Sequence, residues 1–169
     1  MTTSEFNKCV DEYSNAIYRF LLKALGNSDT ARDLVQDSFA RLWENHGNID
    51  AQKAKSYLFT CAHNAMIDLV RREKRLSADE PTEANSPSGR TGYSDLNAVL
   101  HQALLKLPEA QRSVIMLRDY EGYSYEEIAQ ITSLSLSAVK VYIFRGRVFL
   151  KEYLTKVGAC PENYLVEEF

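Results

Sequence analysis

Apolar residues recur at three- and four-residue steps along most of the chain. Phe6, Val10, Tyr13, Ile17, Phe20, Leu21 and Ala24 mark a first helix, which Gly26 can stop. A second stripe, Leu34, Val35, Ser38, Phe39, Leu42 and Trp43, ends near Gly47, and a third runs Tyr57, Leu58, Cys61, Ala62, Ala65, Leu69. No stretch sustains two-residue alternation, so no sheet is expected. Residues 77–94, SADEPTEANSPSGRTGYS, combine two prolines and two glycines with many Ser and Thr. That composition reads as a flexible linker between two small helical domains.

Helical spacing resumes with Leu96, Val99, Leu100, Ala103, Leu104 and Leu107. Pro108 suits the first turn of a further helix carrying Val114, Ile115 and Leu117, closed by Gly122. Ser124-Tyr125-Glu126-Glu127 is a capping-box start, and Thr132-Ser133-Leu134-Ser135 breaks the short helix that follows. A longer helix then runs from about Leu136 to Lys156, with Val139, Ile143, Gly146 and Leu150 on one face and Ser135 as its N-cap. Two turns of helix, a tight turn and a longer helix make a helix-turn-helix shape. Ser133 takes the turn position that usually wants glycine, at a steric cost of about 1–2 kcal/mol.

The 169 residues suit one domain or two small ones, and no apolar run approaches a membrane span. Met1-Thr2-Thr3-Ser4-Glu5 lacks the basic flank and apolar core of a secretory signal, which points to the cytoplasm. Cys9, Cys61 and Cys160 fall at neither disulfide nor zinc spacing. The net charge of −3 is mildly acidic for a stand-alone duplex-DNA binder. Yet Asp79, Glu80 and Glu83 in the linker and Glu162, Glu167 and Glu168 in the tail concentrate the acid, leaving the rest slightly basic. His46, His63 and His101 stand apart and read as surface or helix-end residues. There is no Gly-rich phosphate loop, nucleophile elbow or metal constellation, so neither enzymatic activity nor a cofactor is expected.

Three constellations remain. On the last helix Ser137, Lys140, Arg145 and Arg147 lie off the buried stripe, where side chains can reach a major groove or its phosphates. On the third, Asn64, Asp68, Arg71 and Arg75 share one face, with Arg71-Arg72-Glu73-Lys74-Arg75 at its end. Cations at a helix C-terminus are favoured anyway, so this face gains meaning only with a nucleic acid opposite Asn64. The second stripe is too wide for a small core to cover. Asp33, Gln36 and Asp37 flank it, and Trp43 can serve as an aromatic anchor for a partner.

Taken together these motifs resemble the extracytoplasmic-function (ECF) sigma factors of the sigma-70 family. Asp33 to Trp43 (DLVQDSFARLW) looks like region 2.2. Ser56 to Ala65 (SYLFTCAHNA), continuing to Arg75, looks like regions 2.3 and 2.4. Leu107-Pro108-Glu109-Ala110-Gln111-Arg112, Tyr125-Glu126-Glu127-Ile128-Ala129 and Val139-Lys140 look like region 4. The resemblance implies an all-α fold: region 2 over residues 1–76, the linker 77–94, a region 4 helix-turn-helix over 95–156 and a tail from 157 to 169. It implies a promoter-specificity subunit rather than an enzyme, whose partners are core RNA polymerase (β′ clamp helices and β flap), promoter DNA and an anti-sigma factor. Asp33, Gln36, Asp37, Phe39 and Trp43 match the core-docking positions. Asn64, Asp68, Arg71, Arg72 and Arg75 match the minus-ten contacts, with residues 46–55 as the loop that pockets a flipped base. Ser137, Lys140, Tyr142, Arg145 and Arg147 match the minus-thirty-five face. The family's usual Gly-Thr before Val-Lys is Ser137-Ala138 here, and Val141 and Tyr142 replace a polar residue and Arg, which predicts fewer direct base contacts upstream. The main rival is a stand-alone helix-turn-helix regulator. A pure adaptor or anti-sigma-like antagonist needs neither basic cluster.

Overall fold

A computed structural model describes residues 1–77 and 94–159. Most of the expected linker, the tail from Cys160 onward and Cys160 itself lie outside these residues. Among the described residues there are seven α-helices and no strand. No helix among them is long and apolar enough to cross a membrane.

Local chemistry sets the helix ends. In α1 (Thr3–Leu25) Thr2 and Glu5 form a capping box, and Gly26 takes the left-handed conformation at the C-terminus with φ 73°. In α2 (Ser28–Glu44) the Asn27 side chain accepts from the amides of Asp29 and Thr30, both at 3.0 Å. A single 3-10 turn, Ala51–Lys53, capped by Asp50, leads into α3 (Ala54–Ser77). After α4 (Ser94–Lys106), Pro108 occupies the N-cap of α5 (Glu109–Ile115), one position before the first turn where its sequence context put it. The chain then loosens into a π-helical segment, Met116–Tyr120, before Gly122 turns it at φ 73°. The capping box of α6 (Tyr125–Thr132) closes as expected, Glu127 N–H to Ser124 Oγ at 3.2 Å and Ser124 N–H to Glu127 Oε2 at 2.8 Å. Ser133 adopts φ 57°, ψ 29°, the strained turn foreseen for it. Ser135 then caps α7 (Leu136–Lys156) by accepting from Ala138 N–H at 3.2 Å.

The main core draws on both halves of the chain. Phe20 packs edge-on against Phe59 at 5.6 Å between centroids, and Phe59 against Tyr123 at 5.2 Å. Ile128, Ile131, Val139 and Ile143 complete the same cluster with Leu58, Ala62 and Met66. A smaller cluster of Leu104, Leu107 and Ile115, backed by Leu100, Phe149 and Leu150, joins α4, α5 and α7. There α7 approaches closely because Gly146 has no side chain: a Cβ at that position would clash with Ile115 Cδ1.

Arg112 ties the halves together by polar contacts. It donates to the carbonyls of Leu104 (2.8 Å), Leu105 (2.8 Å) and Leu107 (3.1 Å) at the end of α4, and to Ala24 at the end of α1 (2.5 Å). One guanidinium therefore fills the exposed carbonyls of two helix C-termini, where the helix dipoles also favour a cation. Lys74 pairs with Glu109 across the same boundary, and Lys23 and Lys55 sit over the rings of Tyr120 (3.5 Å) and Tyr123 (4.8 Å).

Candidate nucleic-acid interface

Helix α3 separates its roles by face. Leu58, Phe59, Ala62 and Met66 are buried, while Asn64, Asp68, Arg71, Arg72 and Arg75 are all exposed. Asn64 to Arg75 spans eleven residue steps, about 16 Å of helix. The face is long enough to follow several nucleotides and presents three guanidinium groups besides an amide that both donates and accepts. Lys74 is engaged by Glu109 and lies apart from these. His63, next to Asn64, is buried at 6% exposure, contrary to its expected surface position. Its neighbours on the inner face of α3 pack into the core and take the ring with them. Burial pushes its pKa down, and a hydrogen bond with Asn64 acts in the opposite sense. Its Nδ1 has no hydrogen-bond partner among the described residues.

The loop entering α3 adjoins the end of α2. Asn45 donates through Nδ2 to the Arg41 carbonyl (2.9 Å) and to Tyr57 Oη (3.2 Å). The His46 imidazole stacks on Trp43, 4.8 Å between centroids at 14°. The sequence reading missed these tethers, although the i, i+3 spacing of Trp43 and His46 at a helix end was the available signal. The amine of Met1 donates to the carbonyls of His46 (2.8 Å) and Ile49 (3.4 Å).

On α2, Asp33, Gln36 and Asp37 are exposed and Trp43 keeps 43% of its surface accessible. Phe39 departs from the docking expectation. It is only 9% exposed and meets Phe6 edge-on at 6.3 Å. Position 39 falls on the core side of the wide stripe.

On α7, Ser137, Lys140 and Arg145 are exposed. Two proposed contacts are placed differently. Tyr142 is half-buried against the main core, because the helix packs on α6 through that flank. Arg147 is held by Asp119, Nη2 to Oδ1 at 2.5 Å and Nε to Oδ2 at 3.3 Å, which joins α7 to the π-helical segment. The outer face is instead largely apolar. Val141, Phe144 and Val148 are exposed in a row between Lys140 and Arg145. Such a face can meet thymine methyl groups while its basic flanks reach phosphates. No group of His, Cys, Asp and Glu among the described residues could hold a metal ion.

Two family models match the chain, Sigma-70 region 2 over residues 9–76 and Sigma-70, region 4 over residues 98–150. The chain is 31% identical over 169 residues to the ECF RNA polymerase sigma factor SigW of Bacillus subtilis, covering 88% of each. It is 32% identical over 159 residues to the ECF RNA polymerase sigma factor SigE of Mycolicibacterium smegmatis, covering 89% of this chain and 62% of that longer one. The sigma factor RpoE, solved in complex with the anti-sigma factor NepR from Bartonella quintana, matches with a TM-score of 0.80 and 25% identity over 90% of this chain and 98% of its own. The chain belongs to the sigma-70 family of RNA polymerase sigma factors, and within it to the ECF type.

Proposed function

We propose that this sigma factor binds core RNA polymerase in the cytoplasm through Asp33, Gln36, Asp37 and Trp43, and reads the minus-ten element with the outer face of α3. Region 2 is taken as residues 1–76, region 4 as 95–156, and 77–94 as the connection between them. The observation that carries the reading is the joint exposure of the acidic and aromatic face of α2, the loop tip at Asn48, Gln52 and Lys53, and the Asn64–Arg75 face, with the loop tied to α2 by the His46–Trp43 stack and the end of α2 tied to α3 by Asn45–Tyr57. Asn64 takes the role of base reader, because its amide can pair with a base edge, while Arg71, Arg72 and Arg75 hold phosphates of the separated strand. Asp68, an anion between them, disfavours a phosphate at its own position. Melted bases are kept apart by stacking and polar contacts in the adjoining loop. The β flap and an anti-sigma factor remain part of the proposal through family membership.

Region 4 supplies a backbone clamp upstream, through Lys140, Arg145 and the capped N-terminus of α7, with modest base discrimination from Val141. The two promoter elements lie about 25 base pairs apart, roughly 85 Å of duplex at 3.4 Å per pair. A compact chain of this length has a radius of gyration of only about 15 Å. Engaging both elements therefore requires α4–α7 to leave α1–α3, breaking the Phe59–Tyr123 contact and the bond from Arg112 to Ala24.

Transcription from a library of randomised promoters by purified core enzyme, with and without the full chain, tests the reading. Enrichment of one pair of upstream and minus-ten sequences only when the chain is present supports it. An unenriched library, or specific DNA binding by the chain that core enzyme does not alter, refutes it.

A further inference from the structure

Trp43 belongs to two surfaces at once. It stands exposed on α2, about two turns after Gln36 on the helix proposed to dock on polymerase, and its indole carries the His46 imidazole, 4.8 Å away at 14°. His46 Nδ1 lies 2.5 Å from the Trp43 carbonyl. A carbonyl only accepts, so this contact is a hydrogen bond when Nδ1 carries the proton, and it then holds the plane of the ring. Phe6 packs against the same indole at 4.9 Å, which holds Trp43 from the α1 side. The first residues of the 46–55 loop thus rest on a ring that polymerase would cover. The second tether, Asn45 Nδ2 to Tyr57 Oη, sets the loop against α3.

We propose that His46 is a positioning residue for minus-ten recognition, and that its stack on Trp43 couples polymerase docking to capture of a promoter base by the 46–55 loop. This rests on the reading of that loop as the base pocket. Docking covers Trp43, removes water from the stack and restricts the indole to one orientation. His46 is then restricted too, and the loop is presented in its base-binding shape before the base arrives. An offset aromatic stack contributes about three- to tenfold in an equilibrium constant, which sets the size of the coupling. Coupling is reciprocal, so a base held in the loop must tighten polymerase binding by the same factor.

The test uses holoenzyme assembled from core enzyme and the full chain. Base preference at each minus-ten position is read from open-complex formation on single-base promoter variants. Core affinity is read by fluorescence titration with and without a single-stranded minus-ten oligonucleotide. His46→Ala is expected to lower discrimination three- to tenfold at the loop's position, to leave upstream preference unchanged, and to abolish the tightening that the oligonucleotide gives the wild-type chain. His46→Phe, which keeps a ring to stack, is expected to restore both. If His46→Ala loses its cooperative thermal transition, His46→Leu replaces it, keeping bulk without the stacking plane. The exposed tip residues Asn48, Gln52 and Lys53, changed together to Ala, report on the loop itself. A tip variant with an altered profile beside a His46→Ala variant with a wild-type profile overturns the positioning role alone. A tip variant with a wild-type profile overturns the loop reading and this proposal with it. Equal losses in His46→Ala and His46→Phe, or oligonucleotide tightening that survives in His46→Ala, also overturn it.

Discussion

Replacing Arg112 with Ala should be among the most damaging single changes in the chain. The side chain donates to four backbone carbonyls, three at the end of α4 and one, Ala24, at the end of α1. Burial lowers its pKa while Glu109 acts in the opposite sense, and guanidinium stays charged in proteins. Hydrogen bonds from a charged group contribute about 1.5–3 kcal/mol each, but the four share one side chain and are not additive. Some of the freed carbonyls will find water. A net loss of about 3–5 kcal/mol follows, against a total stability of about 5–15 kcal/mol for a domain. Arg112→Lys should recover less than half, since one ammonium cannot span two helix ends. Urea unfolding followed by circular dichroism measures both. An Arg112→Ala unfolding free energy within about 1 kcal/mol of wild type would refute the claim that this group caps both helices.

Gly146→Ala forces a methyl against Ile115, and overpacking of about 1–3 kcal/mol should outweigh the helix-propensity gain of about 1 kcal/mol. Ile115→Ala in the same chain should restore part of the loss in a thermal melt, and additive losses would count against the packing of these two residues. Burial depresses the folded-state pKa of His63, so the unfolded chain binds a proton more readily than the folded one. Stability should be complete above the ordinary imidazole pKa of about 6.5 and fall as pH drops below it. His63→Gln should flatten that slope between about pH 7.5 and 5.5, and an unchanged slope would assign the effect to other groups. Lys140→Ala or Arg145→Ala should weaken holoenzyme on the upstream element and reduce its salt slope by about 0.9 for each phosphate no longer neutralised. Unchanged slopes in both would place this face away from the DNA backbone.

Features coded by neighbouring residues were legible in the sequence. Gly26, the Ser124–Glu127 box, Ser133 and Ser135 each act within one turn of helix, and each does in the structure what its type and spacing imply. Exposure of Asn64, Asp68 and Arg71 followed from the same periodicity. Features set by distant partners were not legible. Phe39 is buried because Phe6 arrives from another helix, and Arg147 is turned aside by Asp119. His63 is buried because the inner face of α3 packs into a core that α6 and α7 complete. Nothing in residues 116–120 announces a π-helical turn. It is visible only once Glu121 N–H is seen bonding to the Met116 carbonyl at 3.2 Å.

The central claim is that the outer face of α3 reads the minus-ten element within the polymerase complex, with Asn64 pairing to a base and Arg71 to the backbone. Permanganate reactivity of promoter thymines, measured with core enzyme on single-base minus-ten variants, compares Asn64→Ala, Arg71→Ala and wild type. Asn64→Ala should lose about 1–3 kcal/mol of discrimination at one position, seen as a locally flattened profile, whereas Arg71→Ala should lower opening on all variants alike. Wild-type profile shapes and opening levels in both variants would contradict the assignment of α3 as the reading helix.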